Sequence, residues 1–306
     1  MEAQTLGTLW ITGASGRVGS RIAPMLRERG YVVRGFSGSP GDGLEPLPLT
    51  SEAMAGRMAG ALAVVHLAAP NPSRLQAAFG GRRRLEQSHA RLARLVGEAV
   101  LIAGLPRLVH VSSARVYGIQ SGPYREDATP ALPCDPYGHA KLAAEQVLTQ
   151  LFSERPEGLT ILRCPVVHGT GRRGAAGLTA DLWRRGIAVP ARILDARKSV
   201  LAIENLAAAI ARFSSPATPG GTFNIADPKP LTFGDYAGLF VPDDSLVRRR
   251  AQWPDWLLDM SGHAPVVGSA VRHLSSDCIL ECSKAEIAGW APELGTADLV
   301  RARGYG

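Results

Sequence analysis

Cysteine is scarce in this sequence of 306 residues, which contains only Cys134, Cys164, Cys278 and Cys282. Four scattered cysteines are too few for a disulfide framework. Cys278 and Cys282 also do not belong to a pattern of further His and Cys ligands that would complete a zinc site. We therefore expect free thiols and no metal site.

Long apolar runs are also missing. No uninterrupted apolar stretch approaches the ~20 residues that a membrane-spanning helix needs, and the N-terminus soon reaches a polar, glycine-rich turn. With 45% hydrophobic and 20% charged residues, the chain has the composition of a globular protein with a sizeable core. We expect a soluble, cytoplasmic protein without a membrane segment.

Acidic residues are in deficit, with 27 Asp and Glu against 34 Lys and Arg, which gives a net charge of +7 at pH 7. The basic clusters Arg82 to Arg84 and Arg248 to Arg250 are not interleaved with aromatic residues, which make up only 6% of the chain. No helix-turn-helix or zinc pattern accompanies them. These absences argue against a nucleic-acid partner, and the excess of arginine fits an anionic small-molecule ligand.

A glycine-rich turn joins the first predicted strand, Thr8 to Thr12, to a helical pattern at Ser20 to Arg29, and a second strand pattern follows at Tyr31 to Phe36. Glycines let such a turn approach a pyrophosphate, whose charge is met by the positive end of the helix. The context predicts dinucleotide binding. The turn consists of Gly13, Ala14, Ser15, Gly16, Arg17, Val18 and Gly19.

An acid is absent at the end of the second strand, where an NAD site usually carries one for the ribose 2′-hydroxyl. Ser37, Gly38 and Ser39 occupy this region instead. Nothing there repels a 2′-phosphate, and two hydroxyls, free N-H groups and nearby Arg34 could hold one. The cofactor prediction is NADP or NAD, with a slight preference for NADP.

Strand and helix patterns alternate up to about residue 168, which predicts an α/β fold with a doubly wound parallel sheet. Ligands of such sheets lie at the carboxyl ends of the strands. Leu67, Ala68 and Ala69 follow one strand and leave room for a cofactor, and Ser113 ends the next. The further patterns are strands at Ala63 to Leu67, Leu108 to Val111 and Leu159 to Arg163, and helices at Glu52 to Met58, Leu85 to Ala103 and Tyr137 to Phe152.

The alternation breaks after residue 168. We predict a basic glycine-rich loop at Gly169 to Gly177 and a short helix at Leu178 to Arg185. The predicted domains are a dinucleotide-binding domain at 1–168 and a smaller, mostly substrate-binding C-terminal subdomain at 169–306. Segments near 197–226 are predicted to return to the first domain, with a strand at Val200 to Ile203, a helix at Glu204 to Phe213 and a strand at Thr222 to Ile225.

Tyr137 and Lys141 stand four positions apart at the start of a helix, which places them on one helix face. A tyrosine whose pKa is about 10 needs roughly 4 kcal/mol of phenolate stabilisation to act as an acid/base near neutrality. A lysine about 4 Å away at an effective dielectric near 20 supplies about that much. We therefore expect Lys141 to lower the pKa of Tyr137.

These motifs come in the order of a known family. The chain resembles the extended short-chain dehydrogenase/reductases over nearly its whole length, and more narrowly the NAD(P)-dependent epimerase/dehydratase group that acts on nucleotide sugars. The segments that carry the resemblance are the glycine-rich turn, Ser112 to Gly118, Tyr137 with Lys141, Leu162 to Gly169, Arg197 to Leu206, and Ser283-Lys284 with Gly289-Trp290.

The resemblance implies a Rossmann-like fold, a nucleoside-diphosphate sugar as substrate and a homodimer formed through the helices at Leu85 to Ala103 and Tyr137 to Phe152. It implies that Tyr137 is the catalytic acid/base, that Ser113 binds the substrate oxygen, and that Lys141 holds the nicotinamide ribose. Its implied further contacts are Pro165 and Val167 to the cofactor, and Lys198 and Arg272 to the substrate diphosphate.

Departures from the family pattern narrow the reaction. The dehydratases carry an Asp-Glu pair after the catalytic hydroxyl residue, where this chain has Ala114 and Arg115. The resemblance therefore implies C4 epimerisation or reduction of a 4-keto sugar rather than dehydration. His168 replaces a common tyrosine, and we expect its role to be structural. The alternatives are a reductase of another carbonyl compound and a non-catalytic dinucleotide sensor.

Overall fold

The computed structural model describes residues 5–38, 43–69, 81–170, 174–241, 250–254 and 268–295. A mixed α/β architecture surrounds one central sheet. The strands of the described residues, seven of which form this sheet, are β1 (Thr8–Thr12), β2 (Val32–Ser37), β3 (Glu45–Pro46), β4 (Ala63–His66), β5 (Leu108–Ser113), β6 (Pro123–Tyr124), β7 (Leu159–Cys164), β8 (Val166–His168), β9 (Val189–Pro190), β10 (Arg197–Lys198), β11 (Val200–Ala202), β12 (Gly221–Asn224), β13 (Leu231–Thr232), β14 (Arg250–Ala251) and β15 (Ile279–Leu280).

Helices accompany the strands throughout the described ranges. They are α1 (Gly19–Glu28), α2 (Ser51–Met58), α3 (Arg82–Ile102), α4 (Pro136–Leu151), α5 (Gly174–Arg184), α6 (Ala191–Asp195), α7 (Ile203–Ser214), α8 (Phe233–Gly238), α9 (Gly268–Ser275) and α10 (Ser283–Ile287). Short 3-10 helices follow β5 at Ala114–Tyr117 and precede β7 at Pro156–Gly158.

The central sheet has seven strands in the order β12-β7-β5-β4-β1-β2-β3, and every pair in it is parallel. The strands β5, β4 and β1 lie side by side, so their carboxyl ends share one edge. His66 of β4 is in register with Thr12 of β1 and His110 of β5. The residues that follow these strands therefore meet at a single edge, as expected for a doubly wound sheet.

Apolar residues cover both faces of the sheet, because both faces are packed against helices. Leu9 and Ile11 of β1 pack with helices α1 and α7 on one face. Trp10 points to the other face, stacks on Phe36 with ring centroids 4.4 Å apart, and belongs to a second core with residues of α2, α3 and α4. A third cluster, built from α5, α6, α8 and nearby strands, lies beyond this sheet.

The predicted parallel sheet is confirmed, and the predicted elements differ from the observed ones mainly at their ends. One prediction was wrong: the loop at Gly169 to Gly177 is cut short, because α5 already begins at Gly174. The four residues from Gly174 are Gly-Ala-Ala-Gly, and packing of Ala176 in the third cluster stabilises this turn despite the low helix propensity of the glycines. The domain division at residue 168 stays a prediction.

None of the helices in the described part of the chain combines the length and the hydropathy that crossing a bilayer requires.

Candidate functional site

The glycine-rich turn lies at the carboxyl edge of the sheet, between β1 and α1. Gly13 has a φ of +76°, and a Cβ there would lie 2.8 Å from the Ala68 backbone. A Cβ on Gly19 would lie 2.8 Å from the Ala14 Cα atom and would also meet the Gly13 carbonyl oxygen. Both glycines are therefore required by close backbone approach, and the turn is held against the Leu67-Ala68 segment after β4.

The N-terminus of α1 is open to an anion. The helix has no side-chain hydrogen bond at its N-cap and no acidic residue in its first turn. Its N-terminal N-H groups and its dipole therefore favour negative charge at this end. With the steric cradle formed by Gly13 and Gly19, these features fit the pyrophosphate of a dinucleotide.

Ser37 joins this turn from the end of β2. Its Oγ atom lies 2.6 Å from the Ser15 Oγ atom, and Gly38 follows as an exposed residue. Arg34 lies on the opposite pleat of β2, with its Cζ atom 5.9 Å from the centroid of the Trp10 ring. The sequence suggested that Arg34 could help the serines to hold a 2′-phosphate. Because Arg34 lies over Trp10 on the opposite pleat, the structure does not place it beside Ser37. Ser39 lies outside the described residues.

Ser113 and Tyr137 meet beside the turn. Ser113 ends β5, is buried, and its Oγ atom accepts a hydrogen bond from the Arg115 amide at 3.3 Å. Tyr137 lies in the first turn of α4, which Asp135 caps by accepting from the Tyr137 and Gly138 amides at 3.0 and 3.1 Å. The Ser113 hydroxyl lies near enough to the Tyr137 hydroxyl to lower the pKa of Tyr137. A hydroxyl pair at a sheet edge can bind one oxygen of a substrate.

The pKa of Tyr137 shifts opposite to the prediction. Burial raises it to about 12, and the charge of Arg115 and the hydrogen bond with Ser113 only partly offset this. The residue exposes 40% of its surface, but its hydroxyl is still poorly solvated. The pairwise estimate was wrong because it omitted desolvation, which here exceeds the attraction of nearby cations.

Lys141 lies below Tyr137 and is fully covered by protein. Its Nζ atom is 6.0 Å from the centroid of the Tyr137 ring and donates a hydrogen bond to the Val111 carbonyl at 2.9 Å. Burial lowers its pKa to about 8. The ammonium is therefore still mostly protonated at neutral pH and is anchored to the strand that ends in Ser113.

A row of buried polar side chains supports this site from the sheet. His66 Nδ1 lies 2.7 Å from Thr12 Oγ1, and the His66 and His110 rings are 5.0 Å apart. Farther along the sheet, Glu145 of α4 pairs with Arg163 of β7 at 2.7 Å. The sequence reasoning missed this row, because polar residues on strands covered by helices have no local signature of burial.

Arg115 was noted in the sequence only as a departure from the family pattern. Its Nε atom donates to Asp135 Oδ2 at 2.9 Å, and its side chain remains 40% exposed. Neither terminal nitrogen of Arg115 has a hydrogen-bond partner in the described ranges. Asp135, which binds this guanidinium, also caps the helix of Tyr137, and the charge of Arg115 lowers the pKa of Tyr137. The structure thus places a partly open guanidinium in the same region as Ser113 and Tyr137.

His273 of α9 reaches the same carboxylate, with Nε2 at 3.0 Å from Asp135 Oδ2 and 3.3 Å from Cys134 Sγ. Burial would raise the pKa of Asp135, but the His273 hydrogen bond and the Arg115 charge hold it well below its usual range. Cys134, Asp135 and His273 offer potential metal-ligand atoms within 4.8 Å of one another. Sequence spacing could not reveal this cluster, because His273 is distant in the chain.

The two basic residues assigned to a diphosphate lie near one another. Lys198 follows Arg197 in β10, and its Nζ atom donates to the His273 and Ser276 carbonyls at the end of α9. Arg272 is an exposed residue of that helix. Burial lowers the pKa of Lys198 to about 8. Lys198 is therefore partly committed to the protein, and a diphosphate contact stays a prediction.

The remaining predicted contacts surround β8. Pro165 precedes this strand and Val167 lies within it, and both are partly exposed. His168 is buried, with Nε2 3.3 Å from Asp227 Oδ2. Asp227 also accepts from the Asn205 side chain and the Ala202 amide. His168 therefore has a buried structural contact.

Most of the chain is similar to a known protein family. The model of the NAD dependent epimerase/dehydratase family matches residues 9–226. The chain is 38% identical over 106 residues to UDP-glucose 4-epimerase of Azospirillum brasilense, a match that covers 34% of this chain and 30% of that relative. Matches to curated relatives span between 30% and 55% of those proteins' lengths.

Solved structures are similar over the whole fold. UDP-N-acetylglucosamine 4-epimerase from Bacillus cereus matches with a TM-score of 0.74 at 20% identity, covering 97% of this chain and 98% of that one. The Bordetella bronchiseptica enzyme WbmG in complex with NAD matches with a TM-score of 0.75 at 18% identity, covering 100% and 96%. At these identities the likeness shows the fold.

Proposed function

Because the chain belongs to the NAD dependent epimerase/dehydratase family, we propose that it interconverts the C4 epimers of a nucleoside-diphosphate sugar with NAD as a recycled cofactor. The observation that carries this proposal is the placement of the Ser113 and Tyr137 side chains near each other, beside the anchored Lys141. These three side chains are the ones that transfer of a proton at a carbinol oxygen requires.

The residues around the turn fit a dinucleotide. Gly13, Ala14, Ser15, Gly16, Arg17, Val18 and Gly19 would hold the pyrophosphate, and Ser37 and Gly38 would face the adenosine ribose. Leu67, Ala68, Ala69, Pro165 and Val167 would line the remainder. When bound, the nicotinamide supplies a hydride acceptor and donor.

NAD is favoured over NADP by two observations. Arg34 lies over Trp10 instead of beside Ser37, so this arginine is not placed to hold a 2′-phosphate at the end of β2. The related WbmG structure contains NAD. A cofactor that is retained through the cycle is also what a C4 epimerase needs, because the hydride is removed from C4 and then returned.

The protein residues act on the C4 hydroxyl. Ser113 donates a hydrogen bond to this oxygen and positions it against Tyr137. Tyr137 takes the hydroxyl proton as the C4 carbon is oxidised to a ketone, and gives the proton back when the carbon is reduced. Tyr137 takes the proton as its phenolate, and Lys141 keeps a positive charge close to this phenolate, while its bond to Val111 fixes its position. A turn of the keto sugar between the two steps exposes its other face and inverts C4.

Dehydration would require further acid and base groups next to Ser113. The dehydratases of this family carry an Asp-Glu pair at these positions for the elimination of water, whereas this chain has Ala114 and Arg115. An alanine and an arginine whose guanidinium is permanently protonated cannot perform this step.

The diphosphate of the substrate would lie toward Lys198 and Arg272.

The decisive test incubates purified protein with NAD and either UDP-glucose or UDP-galactose, and follows the other epimer by chromatography. We expect turnover without net formation of NADH. Consumption of NADPH with a 4-keto sugar, and no epimerisation, would instead establish a reductase. Binding of the cofactor without turnover of any nucleotide sugar would support a dinucleotide sensor.

We also propose a homodimer formed through α3 and α4, on the basis of the family resemblance. These two long helices pack side by side on the second core. Light scattering at micromolar concentration tests this assembly, and a monomer at that concentration would exclude it.

A further inference from the structure

We infer that Arg115 binds a carboxylate on the sugar ring, so that the substrate is a nucleoside-diphosphate uronic acid. The inference rests on the proposed function and specifies its substrate class. Three features support it: the fixed position of Arg115, the guanidinium nitrogens that have no hydrogen-bond partner within the described residues, and the substituent of the sugar that lies next to the reacting carbon.

Arg115 is fixed between the two elements that carry the proposed catalytic hydroxyls. Its amide donates to Ser113 Oγ at 3.3 Å. Its carbonyl oxygen packs against Gly138 so closely that a Cβ on Gly138 would lie 2.5 Å from it. The backbone of Arg115 therefore has little freedom, and the side chain starts from a defined point beside Ser113 and Tyr137.

The guanidinium is oriented but not saturated. Asp135 binds only its Nε atom, at 2.9 Å. Asp135 is itself fixed, since its other oxygen accepts from the Tyr137 and Gly138 amides. Within the described residues, both terminal nitrogens of Arg115 lack hydrogen-bond partners, and the side chain is 40% exposed. Such a preorganised fork matches the two oxygens of a carboxylate.

Arg115 is also close enough to the reaction centre to reach the sugar. Although burial dominates the pKa of the Tyr137 hydroxyl and raises it, the charge of Arg115 is the strongest effect that lowers it. In the proposed reaction this hydroxyl faces the C4 oxygen. One of the two ring carbons bonded to C4 in a hexose is C5, whose substituent C6 is a carboxylate in a uronic acid. A group beside Tyr137 therefore lies within reach of that carboxylate.

The cationic side chains around the site can bind a second anionic group of the substrate in addition to the diphosphate. Arg115, Lys198 and Arg272 are cationic, whereas Asp135 is the buried carboxylate among them. His273 faces Asp135 from α9, and burial lowers its pKa, so it adds no charge near neutrality. If Lys198 and Arg272 meet the diphosphate, Arg115 remains for a different negative group. A neutral hydroxymethyl group would give the two terminal nitrogens of the guanidinium no carboxylate to bind, which costs affinity.

The test compares UDP-glucuronate with UDP-glucose for wild type, Arg115→Met and Arg115→Lys, in the presence of NAD. The measured quantity is the ratio of kcat/KM for the acidic sugar to kcat/KM for the neutral one. Arg115→Met removes the charge with little loss of length. Because Arg115 also acts on Tyr137, kcat is expected to fall for both sugars, and only the ratio reports on the carboxylate.

We expect the ratio to be about 100 for wild type and to approach 1 in Arg115→Met, as loss of a bidentate charged contact implies. Arg115→Lys should give an intermediate ratio, because lysine keeps the charge but not the fork. The matched control is Arg125→Met, since Arg125 is an exposed arginine paired with Glu281, and its ratio should equal that of wild type.

Three results would overturn the inference. Equal kcat/KM values for the two sugars in wild type would exclude a carboxylate site. An equal loss for both sugars in Arg115→Met would assign Arg115 to the diphosphate or to Tyr137. A ratio unchanged by both substitutions would exclude any role in sugar selection.

A binding measurement separates this inference from the proposed function. Calorimetry on the NAD-loaded Tyr137→Phe variant gives the affinity for each sugar nucleotide without turnover. Preferential binding of UDP-glucuronate that depends on Arg115, with no epimerisation by wild type, would support the carboxylate site and reject the proposed reaction. Absence of binding to both compounds would reject both proposals for uridine sugars.

Discussion

Glu145 lies one helical turn after Lys141 and forms an ion pair with Arg163, whose Nη2 atom is 2.7 Å from Glu145 Oε2. The two side chains are 5% and 10% exposed, so the pair is shielded from water. The Ser112 hydroxyl donates to the other Glu145 oxygen. These contacts tie the helix that carries Tyr137 and Lys141 to β5, which ends in Ser113, and to the neighbouring strand β7.

We predict that Arg163→Met destabilises the protein by about 3 kcal/mol, because it leaves the Glu145 carboxylate buried without its partner. The double variant Glu145→Gln, Arg163→Met should lose less than the sum of the two single changes, since neither buried charge then remains. Urea unfolding of the four proteins measures the coupling. Additive losses would mean that the two side chains stabilise the fold independently.

Stability should fall as the pH drops below about 6.5, because of two buried histidines. Burial lowers the pKa of His66 to about 3 and that of His110 well below its usual value, with Lys141 and His89 as nearby positive or titratable groups. The unfolded chain binds protons at these histidines near pH 6.5, whereas the folded chain does not. Each of the two histidines should therefore lower the free energy of unfolding by about 1.4 kcal/mol for every pH unit below pH 6.

Urea unfolding at pH 7, 6 and 5.5 checks this slope, with His110→Leu as the comparison. Neither ring nitrogen of His110 has a hydrogen-bond partner in the part of the chain that the structure describes, so the substitution should not destabilise the protein at pH 7 through a lost hydrogen bond. We expect it to reduce the slope by about 1.4 kcal/mol per pH unit. An identical slope in the two proteins would show that His110 titrates normally in the folded state.

Much of the fold was predictable from local patterns. The run Thr8 to Thr12 forms β1 as predicted, because a buried parallel strand has an apolar sequence bounded by glycine. The helix of Tyr137 was predictable from Asp135-Pro136, a capping residue followed by proline at the first helical position. Ser113 and Tyr137 could be brought together because strand ends share one edge of a doubly wound sheet.

The features of the site that could not be predicted depend on distances between residues in the folded chain and on the solvation of their side chains. Arg115 and His273 both reach Asp135, but His273 is more than a hundred positions away and belongs to no motif. The direction of the Tyr137 pKa shift was missed for the same reason, since desolvation depends on everything around the hydroxyl. Pairwise reasoning from Lys141 alone gave the wrong sign.

We predict that Gly19→Ala abolishes NAD binding, measured by protein fluorescence. The added methyl group would lie 2.8 Å from the Ala14 Cα atom and against the Gly13 carbonyl, so the turn must open. The matched control is Gly56→Ala in α2, where nothing lies within 4 Å of the added Cβ. That change should leave NAD affinity intact and raise stability by about 0.5–1 kcal/mol, since alanine favours a helix. Unchanged NAD affinity in Gly19→Ala would place the dinucleotide elsewhere.

Tyr137→Phe should reduce turnover by at least about 100-fold, because it removes the group proposed to carry the C4 proton. The fold should be preserved, since Asp135 caps α4 through the Tyr137 amide and the edge-on contact with His89 needs only the ring. NAD affinity should stay within a few-fold of wild type. The control is Tyr31→Phe, which removes a hydroxyl that donates to the Ala211 carbonyl at 3.2 Å, far from α4 in sequence, and should keep full activity. If Tyr137→Phe instead lost NAD affinity or unfolded at lower urea concentration while Tyr31→Phe did not, Tyr137 would be a structural residue and the proposed proton transfer would have to be assigned to another group.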